Sequence, residues 1–378
     1  MARLLDTKLR PPPLRNDRVY RPRLYGPLAD VTCGVVLVSA PPGFGKSTLV
    51  VEWLTRQERP FAWYSLDRYD SDVGLFGEYT AAAVGSLTGS DSGLVSTPGE
   101  QTPDPRTMIA TLVEDLADPP TGAALVLDDY HEIQSREVHE AVTYLVENLP
   151  DGVILVIVTR ADPPLPLSRL RGRGRLREIR GADLRFTAEQ VAEYVRSAAA
   201  SELNADELRL VTERSEGWIL ALQLAGLGAD RTEPAALVRS LSGRHGHIAD
   251  YLVDEVLDRL RPEVAQFLLD SSPFERFDAL LCRDAAGVEH AADLIHEIER
   301  ENAFLIPLGE GGGAVALVGI HIDHPHALQA LFSLELTGGD DNVVEHAEAA
   351  TRVPPRVMGA ARKVETESFI QGQAAALH

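Results

Sequence analysis

The feature that most narrows what this chain can fold into is one short string, Ala40-Pro41-Pro42-Gly43-Phe44-Gly45-Lys46-Ser47-Thr48. Ahead of it, Val35–Ser39 reads as a buried strand. Behind it, Leu49, Val50, Trp53 and Leu54 mark the apolar face of a helix. Strand, glycine turn and helix in that order are the setting of a phosphate loop. Gly43 and Gly45 allow backbone N–H groups to turn inward around phosphate oxygens, where a Cβ would obstruct them. The helix that follows adds its positive dipole end. Lys46 is placed to reach β and γ phosphates, and the Ser47 hydroxyl to ligate Mg²⁺. Pro42, Phe44 and Thr48 complete the predicted nucleotide-binding set. Ala40 stands where the usual pattern starts with Gly; it needs only a negative φ and leaves the cradle intact.

A phosphate loop calls for an acidic residue at the end of a neighbouring strand. Leu125-Val126-Leu127-Asp128-Asp129 supplies it. Asp128 is the expected Mg²⁺ partner, through water, and Asp129 is placed to orient an attacking water. A further strand, Val153–Val158, ends in Thr159-Arg160-Ala161-Asp162. Ligands of open α/β sheets bind beyond the carboxyl ends of strands, so Arg160 is expected beside the γ-phosphate. The competing reading of Arg160 is a surface pair with Asp162.

Phe61–Leu66 and Ala124–Leu127 read as two more strands. Helical stretches lie between the strands, among them Val138–Glu147 with Ala141, Tyr144 and Leu145 on one face. All-apolar strands alternating with helices predict an α/β fold, a parallel sheet with helices on both faces. After Arg185 the strands stop. Thr187 and Gln190 form a capping-box signal ahead of a helix buried through Val191, Tyr194, Val195 and Ala198. Further helices fit Ala205–Ser215, Trp218–Leu227, Ile248–Leu260, Glu263–Leu269 and Ala291–Arg300. Phe304–Leu308 and Ala314–Ile320 then read as a hairpin, which suggests a winged-helix unit. A last helix is possible around Ala327–Leu336.

At 378 residues, the chain has room for two or three domains of about 150 residues each. A net charge of −21 disfavours contact with nucleic acid by the molecule as a whole. Two basic runs stand out: residues 1–25, where Pro11-Pro12-Pro13 forces an extended lead-in, and Arg169–Arg180. Both read as solvated connections facing an anionic ligand or an acidic domain. No apolar run approaches the roughly 20 residues of a membrane helix, and no signal peptide is evident. Cys33 and Cys282 read as free thiols of a reducing cytoplasm. His321, Asp323, His324 and His326 read as an exposed turn, since Pro325 breaks any shared helical face.

Leu5-Asp6-Thr7-Lys8-Leu9-Arg10-Pro11-Pro12, Val19-Tyr20-Arg21-Pro22-Arg23-Leu24 and the phosphate loop together resemble the opening of MalT-like, large ATP-binding LuxR-family transcriptional regulators. These are signalling P-loop ATPases of the STAND class. Leu127-Asp128-Asp129-Tyr130-His131, Asp183-Leu184-Arg185-Phe186-Thr187, Glu216-Gly217-Trp218 and Asp250-Tyr251-Leu252 extend the resemblance over roughly residues 4–308. It implies a strap over residues 1–30, a P-loop NTPase domain over 31–185, a helical lid over 186–245 and a winged-helix-like domain over 246–325. Residues 326–378 form a divergent tail. The resemblance also implies that Arg21 and Gly217 hold the nucleotide base.

From Gly309 onward the sequence departs from that pattern. A truncated or frame-shifted product, without the family's sensor and helix-turn-helix, is therefore expected. The resemblance implies a cytoplasmic switch that takes ATP or ADP with Mg²⁺, hydrolyses weakly and self-associates with ATP bound. Any DNA contact would run through a helix-turn-helix that this chain lacks. The alternative is a P-loop phosphotransferase or ATPase acting on another substrate.

Overall fold

In a computed structural model of the chain, residues 4–15, 18–32, 34–89, 105–117, 120, 122–199, 203–228, 241, 251, 260–271, 276–300, 305–307 and 314–317 are described. The chain divides into two compact units, Met1–Ser197 and Ala198–His378.

The first unit opens with an N-terminal segment and a helix, α1 (Pro22–Ala29), which has Pro22 in its first turn, where a missing N–H costs nothing. There follow β1 (Gly34–Ser39), α2 (Lys46–Arg56), β2 (Phe61–Ser65), α3 (Val73–Thr88), α4 (Pro105–Asp115), β3 (Ala124–Asp128), α5 (Arg136–Glu147), β4 (Ile154–Thr159), α6 (Leu167–Gly172), β5 (Leu176–Arg180), α7 (Gly181–Leu184) and α8 (Ala188–Ala199). The strands pair in parallel in the order β2-β3-β4-β1-β5. Every residue of β1, β3 and β4 is buried, as expected of strands covered on both faces.

Side chains alternate across the strands. Val35, Leu37, Leu125, Leu127, Leu155 and Ile157 share one core with residues of α3 to α6, among them Phe76, Ile109, Leu145 and Leu170. The β1-to-β2 connection runs back across the sheet, against the direction of all the others. Right-handed crossovers therefore put α2 on the opposite face. There Leu49, Val50 and Trp53 of α2 are buried, as are Val36 and Val38 of β1. α5 buries Val138, Ala141, Val142, Leu145 and Val146; Tyr144, expected on that face, is exposed instead.

The run Arg169–Arg180 is not a solvated connection. It takes in the end of α6, a helix that buries Leu167 and Leu170, and the edge strand β5, which buries Leu176 and Ile179 beside β1. Its charges are matched locally: Arg171 binds Glu178, and Arg180 binds both Glu178 and Asp162. β5 enters close to the start of β1. The Val35 amide donates to the Arg175 carbonyl at 2.9 Å. Gly34 makes this approach possible, since at φ +103° a Cβ there would stand 2.6 Å from the same carbonyl oxygen. The capping box ahead of α8 forms as read, with Gln190 N–H donating to Thr187 Oγ1 and Thr187 N–H to Gln190 Oε1.

The second unit contains α9 (Ala205–Ser215), α10 (Ile219–Gly228), α11 (Pro262–Ser271), β6 (Arg276–Asp278), α12 (Ala279–Ala286), α13 (Ala291–Arg300), β7 (Leu305–Pro307) and β8 (Ala314–Leu317). The expected hairpin is present as β7 and β8, and β6, which was not expected, joins it in a three-stranded antiparallel sheet, β6-β8-β7. Val264, Phe267, Cys282, Leu294 and Ile298 of its helices form a core with Phe277 of β6, and Cys282 is a buried free thiol. The expected helices at 248–260 and 327–336, Cys33 and the histidines at 321–326 lie outside the described residues, apart from Tyr251 and Leu260. Among the described residues, no helix is long and apolar enough to cross a membrane.

Replacing Gly34 by Ala should destabilise the first unit by about 1–3 kcal/mol, since it adds positive-φ strain and a clash with the Arg175 carbonyl. Chemical denaturation of the two proteins checks this.

Candidate functional site

The predicted site residues of the first unit gather beyond the carboxyl ends of β1, β3 and β4. Gly43 (φ 76°) and Gly45 (φ 73°) both adopt the left-handed conformation, which non-glycine residues resist. Gly45 immediately precedes α2, so the loop amides and the helix N-terminus converge. Ala40 is fully buried and Phe44 nearly so, which fixes the loop against the core.

Lys46, only 8% exposed, points back into this loop. Its Nζ donates to the carbonyls of Ala40 at 2.8 Å and Pro41 at 3.0 Å. Burial lowers its pKa to about 8; the positive Arg160 adds to this, and Asp129 and Asp128 oppose it. Arg160 thus lies within electrostatic reach of the lysine. Asp162, its competing partner, is gripped by Arg180.

Asp128 does not end a strand adjacent to β1, as the sequence reading required. β4 lies between them. The connection is made instead by side chains that meet across the end of β4: Ser47 Oγ donates to Asp128 Oδ1 at 2.9 Å. The Asp129 amide donates to the same oxygen at 3.1 Å. Asp128 is 4% exposed. Burial and the neighbouring Asp129 raise its pKa to about 7 against the pull of Ser47, the Asp129 amide and Lys46. Asp129 has a left-handed backbone (φ 57°), which Asp tolerates better than most residues, and its side chain is half exposed.

Arg21 is buried at 3% exposure. Its guanidinium donates to the carbonyls of Gly45 at 3.2 Å and Leu184 at 3.4 Å and lies over the Phe186 ring. It therefore touches the backbone of the phosphate loop itself. Gly217 belongs to the second unit, in the turn between α9 and α10, where Glu216 and Gly217 both have positive φ.

Two polar groups next to the site were missed by sequence reasoning. Glu52 of α2 is 3% exposed, accepts from Tyr25 Oη at 2.8 Å and pairs with Arg18 at 2.9 Å. Its signal was a carboxylate between Val51 and Trp53 in an otherwise apolar stretch. The second is the Lys8–Asp67–Asp70 cluster, hidden in the basic opening run.

A buried ammonium held by neutral carbonyls, inward glycine turns and a buried carboxylate joined to a hydroxyl form a donor set suited to polyphosphate and a divalent cation. The comparisons bear on the same point. A family profile for the MalT winged helix domain matches residues 253–317. The MalT transcriptional regulators of two Klebsiella pneumoniae strains are each 32% identical to the chain over 316 residues, 82% of its length. Over that part, the chain resembles the MalT-like regulators. It spans 35% of the length of these relatives. A Walker-type ATPase of Pyrococcus abyssi superposes with a TM-score of 0.58 at 17% identity, covering 86% of this chain and 99% of that one. The first unit has the P-loop NTPase fold.

Asp128 holds a cation only when ionised, and Lys46 attracts phosphate only when protonated. Binding of ADP with Mg²⁺ as probe should therefore be tightest between about pH 7 and 8. Affinity should fall by about tenfold per pH unit on either side, with proton release on binding at the acid limb and uptake at the alkaline limb. Titration calorimetry in two buffers of different ionisation heat checks both signs.

Proposed function

We propose that the chain is the nucleotide-dependent switch module of a MalT-like regulator. It binds ATP or ADP with Mg²⁺ on the phosphate loop and hydrolyses ATP slowly. The single observation that carries this reading is the union of the Lys46 cradle with the Ser47–Asp128 bond at one end of the sheet.

In this reading the amides of residues 43–48 and the Lys46 ammonium hold the β and γ phosphates. Ser47 and Asp128 hold Mg²⁺, which, when bound, offsets phosphate charge. Asp129 orients the attacking water, and Arg160 reports the γ-phosphate with its fork of donors. Arg21 and Gly217 take the base, as the family resemblance implies. The proposed division is a strap (1–30), an NTPase domain (31–185), a lid (186–245), a winged helix (246–325) and a tail (326–378).

Signalling requires differential affinity, since moving a two-state equilibrium from 1:99 to 99:1 takes about 5.5 kcal/mol. Slow turnover suits a protein whose output is its state, and self-association belongs to the ATP-bound form. A net charge of −21 makes this chain a poor match for a DNA backbone, so DNA contact is assigned to other parts of such regulators.

Lys46→Ala should weaken ATP and ADP binding by about 10- to 100-fold, the worth of a charge-assisted contact. Asp129→Asn should keep binding while slowing hydrolysis by about 10²–10⁴-fold. Titration and single-turnover measurements check both. Equal affinity in Lys46→Ala and the parent would contradict the assignment.

A further inference from the structure

Asp129 has a left-handed backbone, at φ 57° and ψ 39°, and a residue in that conformation stays there only when its surroundings hold it. It opens the short 3-10 turn Tyr130–Glu132. Contacts on both sides fix the stretch around it. Ahead of it, the Asp128 carbonyl accepts from the Leu66 amide at 2.9 Å. Beyond the turn, the Gln134 amide donates to Ser71 Oγ at 3.0 Å. Between these, the Tyr130 hydroxyl pairs with His139 Nδ1 of α5 at 3.0 Å.

The first two contacts come from one segment, residues 66–71, which directly follows β2. It brackets Asp129 before and behind, and its own 3-10 turn, Arg68–Ser71, lies against the turn Tyr130–Glu132. Carboxylates give the bracket its shape. Asp67 accepts the Tyr69 amide at 2.9 Å, and Asp70 accepts the Asp67 amide at 2.7 Å. Asp70 is wholly buried, and the cation beside it comes from far along the chain. The Lys8 ammonium stands 2.6 Å from Asp70 and 2.8 Å from Asp67. Lys8 is itself well seated. It lies over the Tyr79 ring, the Tyr79 hydroxyl accepts the Leu5 N–H at 3.0 Å, and Leu4 and Leu9 pack on the core shared with α3 to α6.

A buried carboxylate deprived of its cation is costly, so a turn that loses Lys8 rearranges. A displacement of about 1 Å at a group that orients a reactant can cost about 100-fold in rate. We propose that Lys8, Asp67, Asp70 and Ser71 are positioning residues for Asp129, setting the rate of hydrolysis while leaving nucleotide affinity to the phosphate loop. The split follows from topology. The loop follows β1, whereas the bracket follows β2 at the edge of the sheet and reaches the site through the end of β3. The inference rests on the role given to Asp129 above. It adds to hydrolysis a lysine near the start of the chain that does not touch the nucleotide.

The test is single-turnover hydrolysis of ATP with Mg²⁺ by the full chain, with ADP affinity titrated on the same samples. Lys8→Met should slow hydrolysis about tenfold and change affinity less than about threefold, with Lys8→Arg restoring the rate. Ser71 is half-buried, and Ser71→Ala should slow hydrolysis about threefold where Ser71→Thr does not. That pair decides the matter if Lys8→Met fails to fold. In an Asp129→Asn background Lys8→Met should add nothing, because its effect runs through that carboxylate. Three results each overturn the proposal alone: hydrolysis unchanged in every folded variant, affinity lost in step with rate, or Lys8→Met slowing the Asp129→Asn chain just as much. A parent that binds no ADP, or an Asp129→Asn chain as fast as the parent, overturns the reading of the site and this proposal with it.

Discussion

Burying the ammonium of Lys46 is the constraint on which the rest of the site depends. Removing a charge from water costs several kcal/mol unless it is well partnered, and Lys46 has two neutral carbonyls for partners. The nearest opposite charges, Asp128 and Asp129, belong to a strand two places away in the sheet. β1 must therefore deliver the chain to a turn that only glycines complete, and α2 must start so that Ser47 meets Asp128 across the end of β4. The depressed lysine and the raised carboxyl express the same shortage: each group lacks a full counter-charge that an anionic ligand and a cation would supply.

Much of this was legible in the sequence, for identifiable reasons. β1, β3 and β4 are buried on both faces and so read as unbroken apolar runs, and the glycine spacing before Lys46 has few other uses. β5 was hidden because it is an edge strand: Leu176 and Ile179 are buried on opposite faces of the sheet while Arg177 and Glu178 keep the look of a charge run. Strand order is not written in local pattern at all. The interposed β4 could be found only in the fold, and with it the fact that Ser47 and Asp128 meet through side chains and not across neighbouring strands.

The N-terminal segment shows the complementary failure. The basic opening run was read as a solvated connection, yet its Arg21 is buried, and its Lys8 and Arg18 pair with the buried Asp70 and Glu52 far away in the chain. Arg21 links the phosphate loop to the Leu184 carbonyl, and Arg23 donates to the carbonyls of Asp183 and Arg185. The loop, α2 and the segment leading into α8 are thus tied to one strap. Arg21 by itself touches both the phosphate loop and the segment that leads into α8.

The central claim is that the backbone around Gly43–Ser47 closes on polyphosphate. Hydrogen–deuterium exchange of the full chain, with and without ADP and Mg²⁺, tests it most directly. The account predicts that ligand slows exchange most strongly at amides 43–48, with lesser slowing near Asp128 and Arg21. Saturating ligand that leaves those amides exchanging as before would contradict it.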